Sequence, residues 1–186
     1  MYQRVSNDCK RIYKEKIGVN DLTGNHRFDS VQMFRHACSF ADCADFCRQA
    51  PQSIVDRTKW YTAPKIANMA FACEIFLKTL LFYNHIPYKR EHNLEKLYLL
   101  LPKKYRETIQ QESIRQYGKT ENAFGITYLN NIAEAFNEWR YSFEHHHLNI
   151  EIGFLFMLGE LLRDLCCQEL YNQSWNEYRG ERNEKM

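Results

Sequence analysis

The chain has 186 residues, of which 45% are apolar and 15% aromatic, and its formal net charge is +2. This length is sufficient to bury a core without disulfides or a structural metal, and the apolar content excludes a disordered chain. The near-balance of charge gives no sign of nucleic-acid binding across the whole surface, so any basic footprint must be local.

Few residues interrupt the apolar pattern, since the chain has only 4 Pro and 7 Gly. Apolar side chains recur at spacings of three and four, which predicts an all-α domain, an up-and-down bundle of about five core helices.

No stretch approaches about 18 uncharged apolar residues, and the N-terminus lacks an apolar signal core. Seven cysteines without framework spacing favour a reducing compartment. We therefore expect a soluble, cytoplasmic protein.

Three regions follow from composition. Residues 1–29 form a basic N-terminal arm, residues 30–172 a helical domain, and residues 173–186 a polar C-terminal tail that packs only at Trp175. The predicted helices run from Ser30 to Pro51, from Ala63 through Leu81, from His92 to Leu101, from Lys103 to Tyr117, from Glu121 to Glu144 and from Asn149 to Tyr171.

The second predicted helix carries Glu74 and Lys78 at i,i+4 spacing, which predicts a flanking ion pair worth a few tenths of a kcal/mol on a surface. Basic residues are concentrated between positions 89 and 106. We expect RNA contacts from Lys89, Arg90, Lys103 and Lys104. A solvated charged face is the alternative for this stretch.

Cysteines at positions 38, 43 and 47, together with Cys166 and Cys167, raise the question of a metal site. Their spacing matches no usual zinc site, and free cysteine packs as a small apolar side chain. We therefore predict no metal and no cofactor.

The densest chemistry lies in residues 139–147, where an arginine and a carboxylate precede three histidines. An imidazole can transfer protons near neutral pH, and a guanidinium stays charged. In a regular helix, Glu144 lies about 40° and His147 about 20° from Arg140, whereas His145 is turned about 140° away. This geometry favours His147 over His145, with Phe143 on the inner face. The alternative is a solvated helix end.

The sequence contains no Gly-rich phosphate loop, no nucleophile elbow and no paired CxxC motif, which excludes many enzyme classes. Three blocks instead resemble the HEPN domains of prokaryotes. They are Ala67-x-x-Ala70-x-x-x-Glu74-x-x-Leu77-Lys78-x-Leu80-Leu81, then His92-Asn93-Leu94-x-x-Leu97, then Phe136-x-x-Trp139-Arg140-Tyr141-x-Phe143-Glu144.

The resemblance implies a homodimer in which two Arg-x4–6-His motifs meet across the interface and cleave RNA without a metal, leaving a 2′,3′-cyclic phosphate. Arg140 with His145 or His147 would be catalytic. Tyr141, Glu144, Glu74 and Lys78 would support them. It implies a toxin, stress or antiphage defence role, with an antitoxin or another protein as a further partner. The alternative is an inactive HEPN module that binds nucleotide or a partner protein.

Overall fold

The computed structural model describes residues 30–49, 61–88, 90–117, 128–144 and 149–183. The helices are α1 (Ser30–Gln49), α2 (Thr62–Tyr83), α3 (Leu94–Leu100), α4 (Lys103–Tyr117), α5 (Asn130–Ile132), α6 (Ala135–Arg140), α7 (Ile152–Tyr171) and α8 (Trp175–Asn183), with a 3-10 turn at Ser142–Glu144. These ranges contain no strand, so the prediction of an all-α helical bundle is confirmed. The predicted N-terminal arm, residues 1–29, lies outside the described residues.

Helix α2 is the centre of the bundle, because α1, α3, α6 and α7 all pack against it. Its most apolar 18-residue window has a mean hydropathy of 1.4, which suffices for a membrane span by length and composition. Every 18-residue window of α2 contains Glu74 and Lys78, so the expectation that no stretch approaches about 18 uncharged apolar residues is not contradicted. Because 61% of that window is buried inside the bundle, the packing accounts for its apolar character.

Helix α1 runs antiparallel to α2. The ring of Phe34, near the start of α1, lies 6.0 Å from that of Phe76, and Phe40 lies 4.6 Å from Phe71. The later residue of α1 thus contacts the earlier residue of α2, so the two helices run in opposite directions. Both aromatic contacts bury large side chains in the α1–α2 seam, which stabilises the two longest early helices together.

A close approach of α7 to α2 depends on Gly159. A Cβ atom at this position would overlap the sulfur of Met69, which is fully buried on α2. Glycine is ordinarily unfavourable inside a helix by about 1 kcal/mol. Here its missing side chain allows the two helices to come together.

The C-terminal region differs from its prediction as a tail that packs only at Trp175. Residues 175–183 form α8, and Tyr178 stacks on Tyr171 at 4.5 Å. Ser174 and Glu177 cap this helix reciprocally, since Glu177 Oε2 accepts from Ser174 N at 2.7 Å and Ser174 Oγ accepts from Glu177 N at 3.3 Å. This S-x-x-E signal was present in the sequence but was missed.

The helix predicted from Glu121 to Glu144 is also corrected. Its described part, from residue 128, is divided between α5 and α6 by a turn at Ala133 and Glu134. The carbonyl of Ala133 accepts a hydrogen bond from the backbone N–H of Leu94 at 2.9 Å. A hydrogen bond from the start of α3 thus occupies a backbone carbonyl at the break. Two adjacent asparagines in α5 also lower the local helix propensity.

Candidate functional site

Arg140 is the last residue of α6, and its side chain is exposed. The guanidinium carbon lies 4.8 Å from the ring centroid of Phe136 and 4.6 Å from that of Tyr141. Both contacts are cation–π interactions with the faces of rings. No carboxylate among the described residues forms an ion pair with Arg140. Its N–H groups therefore lie at the surface without an acidic partner from the described part of the chain.

A series of rings anchors this arginine to the core. Phe136, one turn before Arg140, stacks on Phe71 of α2 with centroids 4.6 Å apart and planes 18° apart. Phe71 in turn meets Phe40 of α1 edge-on. Because Phe136 is fixed between packed helices, the guanidinium above it is held near one position, which is the condition for binding an anion with little entropic cost.

The regular helix predicted through Glu144 is wrong beyond Arg140. Tyr141 has φ −115° and ψ 33°, and a 3-10 turn follows at Ser142–Glu144. The predicted inner-face residue Phe143 is therefore 81% exposed, whereas Trp139 stays packed against the core. The angular argument that favoured His147 over His145 no longer applies, because it required an unbroken helix.

The carboxylate expected to orient Arg140 does not contact it. Glu144 is exposed, and no ion pair within 4.0 Å joins it to Arg140. Stacking on Phe136 and Tyr141 takes that orienting role instead.

The predicted catalytic histidines, His145 and His147, lie outside the described residues. The chain on their far side is held, since Asn131 Oδ1 accepts from Glu151 N at 2.6 Å and Asn131 Nδ2 donates to the carbonyl of Asn149 at 3.4 Å.

The Glu74–Lys78 pair is present but is not a surface pair. Glu74 is 2% exposed, and its Oε1 lies 2.6 Å from Lys78 Nζ and 3.0 Å from His92 Nδ1. Its Oε2 is buried without a hydrogen-bond partner. The ion pair is therefore formed by a buried carboxylate, and the i,i+4 spacing alone did not reveal that burial. The sequence did not predict the contact of His92 with Glu74, because the two residues lie 18 positions apart.

The basic stretch is partly neutralised. Among its predicted RNA-binding residues, Lys103 pairs with Glu107 at 3.3 Å and Lys104 with Glu169 at 2.7 Å. Hydrogen bonding to Glu169 raises the pKa of Lys104. Arg90 is exposed, and Lys89 lies outside the described residues. Two of the four predicted cations thus already have carboxylate partners, so the field that this stretch presents to a phosphate backbone is weaker than expected.

The cysteines are divided between core and surface. Cys38, Cys166 and Cys167 are buried, whereas Cys43 is exposed. Burial raises the pKa of the Cys166 thiol well above its ordinary value. In the described ranges, no group of three or more His, Cys, Asp or Glu residues is arranged to hold a metal ion.

A scan of protein-family models, a search of curated proteins and a search of solved structures each find no match for this chain.

Proposed function

We propose that the protein is a metal-independent RNA endonuclease of the HEPN type, in which Arg140 stabilises the charge that builds on the phosphate. The observation that supports this most is the exposed guanidinium held by Phe136 and Tyr141 with no acidic partner among the described residues. Rings contact the faces of a guanidinium, whereas phosphate oxygens are bound by its in-plane N–H groups. The two sets of contacts are compatible.

The reaction is attack of a ribose 2′-hydroxyl on the adjacent phosphorus. An O–P bond forms, the bond to the 5′-oxygen breaks, and the products are a 2′,3′-cyclic phosphate and a 5′-hydroxyl. The phosphorane carries extra negative charge, which a preorganised arginine stabilises more than it stabilises the ground state. A toxin, stress or antiphage defence role and an antitoxin partner belong to this proposal.

The proposal includes a homodimer with the site at the interface. Phe143, which is 81% exposed, and Tyr141, which is 43% exposed, lie with their ring centroids 6.3 Å apart next to Arg140, and contiguous exposed rings of this kind support an interface here. Light scattering coupled to size exclusion will give the mass in solution.

Purified protein is incubated in EDTA with a single-stranded RNA oligonucleotide beside Arg140→Ala, Arg140→Lys and a control, Arg35→Ala, which removes an exposed arginine of α1. We expect Arg140→Ala to lower kcat by about 100-fold or more, since loss of one transition-state donor has that effect. Arg140→Lys should retain part of the rate, and the control all of it. Cleavage by Arg140→Ala at the wild-type rate would contradict the assignment.

The exposed rings of Tyr141 and Phe143 favour a second candidate function, a non-catalytic module that binds nucleotide. Their centroids lie 6.3 Å apart in an edge-on arrangement, and both are accessible to a base. This candidate predicts no cleavage but a rise in Tm with nucleotide, because a ligand that binds only the folded state stabilises it. Tyr141→Ala should abolish that rise, and the absence of a rise in wild type excludes the module.

A further inference from the structure

Outside the Arg140 region, the cluster of Glu74, Lys78 and His92 has the arrangement of an oriented acid–base group. The Glu74 carboxylate is almost completely buried, yet the His92 side chain is 51% exposed. Nδ1 of His92 lies 3.0 Å from Glu74 Oε1. An ionised carboxylate only accepts hydrogen bonds, so Nδ1 carries the hydrogen and Nε2, on the opposite side of the ring, is left as a proton acceptor.

Three carboxylates hold the segment that contains this histidine. Glu74 holds the ring, and Glu91 Oε1 accepts from the backbone N–H of His92 at 3.1 Å and of Asn93 at 3.0 Å. Asn93 Nδ2 donates to Glu134 Oε1 at 2.7 Å. The hydrogen bonds from the backbone N–H groups of Asn93 and His92 lower the pKa of Glu91, and the one from Asn93 has the larger effect. The Glu91 carboxylate is therefore stabilised in the ionised form. The imidazole is therefore held in one orientation from several elements, as a proton-transfer group requires.

The cluster adjoins the seam that positions Arg140. Glu74 follows Phe71 by three residues on α2, about one turn or roughly 4.5 Å along the axis. Phe71 stacks on Phe136, over which the Arg140 guanidinium lies. Glu134, which binds Asn93, immediately precedes α6. The oriented imidazole and the anchored arginine thus lie along one α2–α6 seam, the imidazole toward the start of α6 and the arginine at its end.

We propose that His92, oriented by Glu74, is the catalytic base that removes the proton from the 2′-hydroxyl. The inference rests on the proposed ribonuclease function and names a residue of that site outside the 145–147 histidine run. The proton passes from the 2′-oxygen to His92 Nε2 as the O–P bond forms, and the departing 5′-oxygen takes a proton from water. Lys78 Nζ, at 2.6 Å from Glu74 Oε1, places a positive charge next to this buried carboxylate.

A purely structural histidine would also pin the 84–93 segment to α2, and the test must separate the two roles. The charged groups on the surrounding elements are Glu74 and Lys78 on α2, Arg90 and Glu91 before α3, Lys96 on α3 and Glu134 before α6. For a base, kcat rises with pH as the base loses its proton, whereas a purely structural role gives no such rise.

The experiment measures kcat from pH 5 to 8 for wild type, His92→Gln and Glu74→Gln, with His36→Gln as the matched control for an exposed histidine on α1. We expect His92→Gln to lower kcat about 100- to 10,000-fold and to remove the rise with pH, with Tm and RNA affinity almost unchanged. Glu74→Gln should lower kcat at least about tenfold by releasing the tautomer. A substrate with an activated aryl leaving group should not restore His92→Gln, because that variant lacks the base rather than the acid.

The outcomes distinguish this inference from the proposed function. If Arg140→Ala loses cleavage while His92→Gln keeps the wild-type kcat and pH profile, the role of His92 is overturned and the ribonuclease assignment stands. A fall in Tm for His92→Gln without a fall in kcat shows a structural role and also overturns it. If wild type does not cleave RNA, both are overturned.

Discussion

Arg163 on α7 is a cation inside the bundle, with only 5% of its surface exposed. Its Nη1 lies 3.1 Å from Asp42 Oδ1, and its guanidinium carbon lies 4.9 Å from the ring of Trp175. Its Nη2 lies 3.8 Å from Asp45 Oδ2, which is ion-pair range without a hydrogen bond, and its Nε has no hydrogen-bond partner. The Asp42 side chain is 64% exposed, so that ion pair is screened by solvent, and the Asp45 pair is long, so most of the contribution of Arg163 comes from packing.

Replacement of Arg163 should therefore depend on volume rather than charge. We expect Arg163→Met to change the free energy of unfolding by less than about 1 kcal/mol, or to raise it, because buried donors without partners are removed and the packing volume is kept. Arg163→Ala should lower it by about 2 kcal/mol through the lost packing. Urea denaturation measures both, and equal destabilisation by the two variants would show that the charge matters.

At the scale of single residues, the sequence nominated Arg140 as a candidate and predicted the Glu74–Lys78 pair, because both depend on neighbours within one or two helical turns. It missed the exposure of Phe143 and the contact of His92 with Glu74. Those depend on where the chain turns and on residues 18 positions apart. Local periodicity carries no information on either.

At the scale of elements, the packing of α7 on α2 depends on the small residue at their crossing. We expect Gly159→Ala to lower the free energy of unfolding by about 1–3 kcal/mol, since overlap with the Met69 sulfur outweighs the gain in helix propensity.

The matched experiment is a double-mutant cycle with Met69→Val, which shortens the side chain that the new methyl group meets. The double variant should be more stable than the sum of the single effects predicts. Gly180→Ala on exposed α8, where a Cβ meets nothing within 4 Å, is the control and should show no such loss. Additivity in the cycle would indicate that Met69 is not the cause.

Element boundaries were predictable where a local signal exists. Asn93 caps α3 by accepting from the N–H of Lys96 at 2.9 Å, as its place before an apolar run indicates. The division of residues 128–144 into α5, α6 and a 3-10 turn was not predictable, because a hydrogen bond from Leu94 in another element contributes to it.

At the scale of the whole molecule, burial of thiols makes stability depend on alkaline pH. Burial raises the pKa of Cys73 to about 12 and that of Cys167 to about 11, from an ordinary 9.0. An unfolded thiol ionises near its ordinary pKa while the folded one keeps its proton. The folded state thus binds more protons above pH 9, and its stability falls as pH rises towards the folded pKa.

We expect the free energy of unfolding of the wild type to decrease from pH 8.5 to pH 10.5. Cys73→Ala should be less stable at neutral pH but should show a shallower decrease, because one of the responsible thiols is gone. Ser39→Ala, at an exposed position of α1 without a thiol, should keep the wild-type slope. Urea titrations at each pH provide the comparison, and parallel slopes for wild type and Cys73→Ala would contradict this account.

The sequence by itself determined the helical class and most helix positions, because apolar periodicity and capping signals act within a few residues, and it supplied Arg140 as a candidate. Only the tertiary structure decided that α2 is the central helix, that Glu74 is buried with His92, and that the rings of Phe136 and Tyr141 hold Arg140. Burial and ring contacts depend on how separate elements pack, which is set by the complementarity of whole helix faces and not by any one segment.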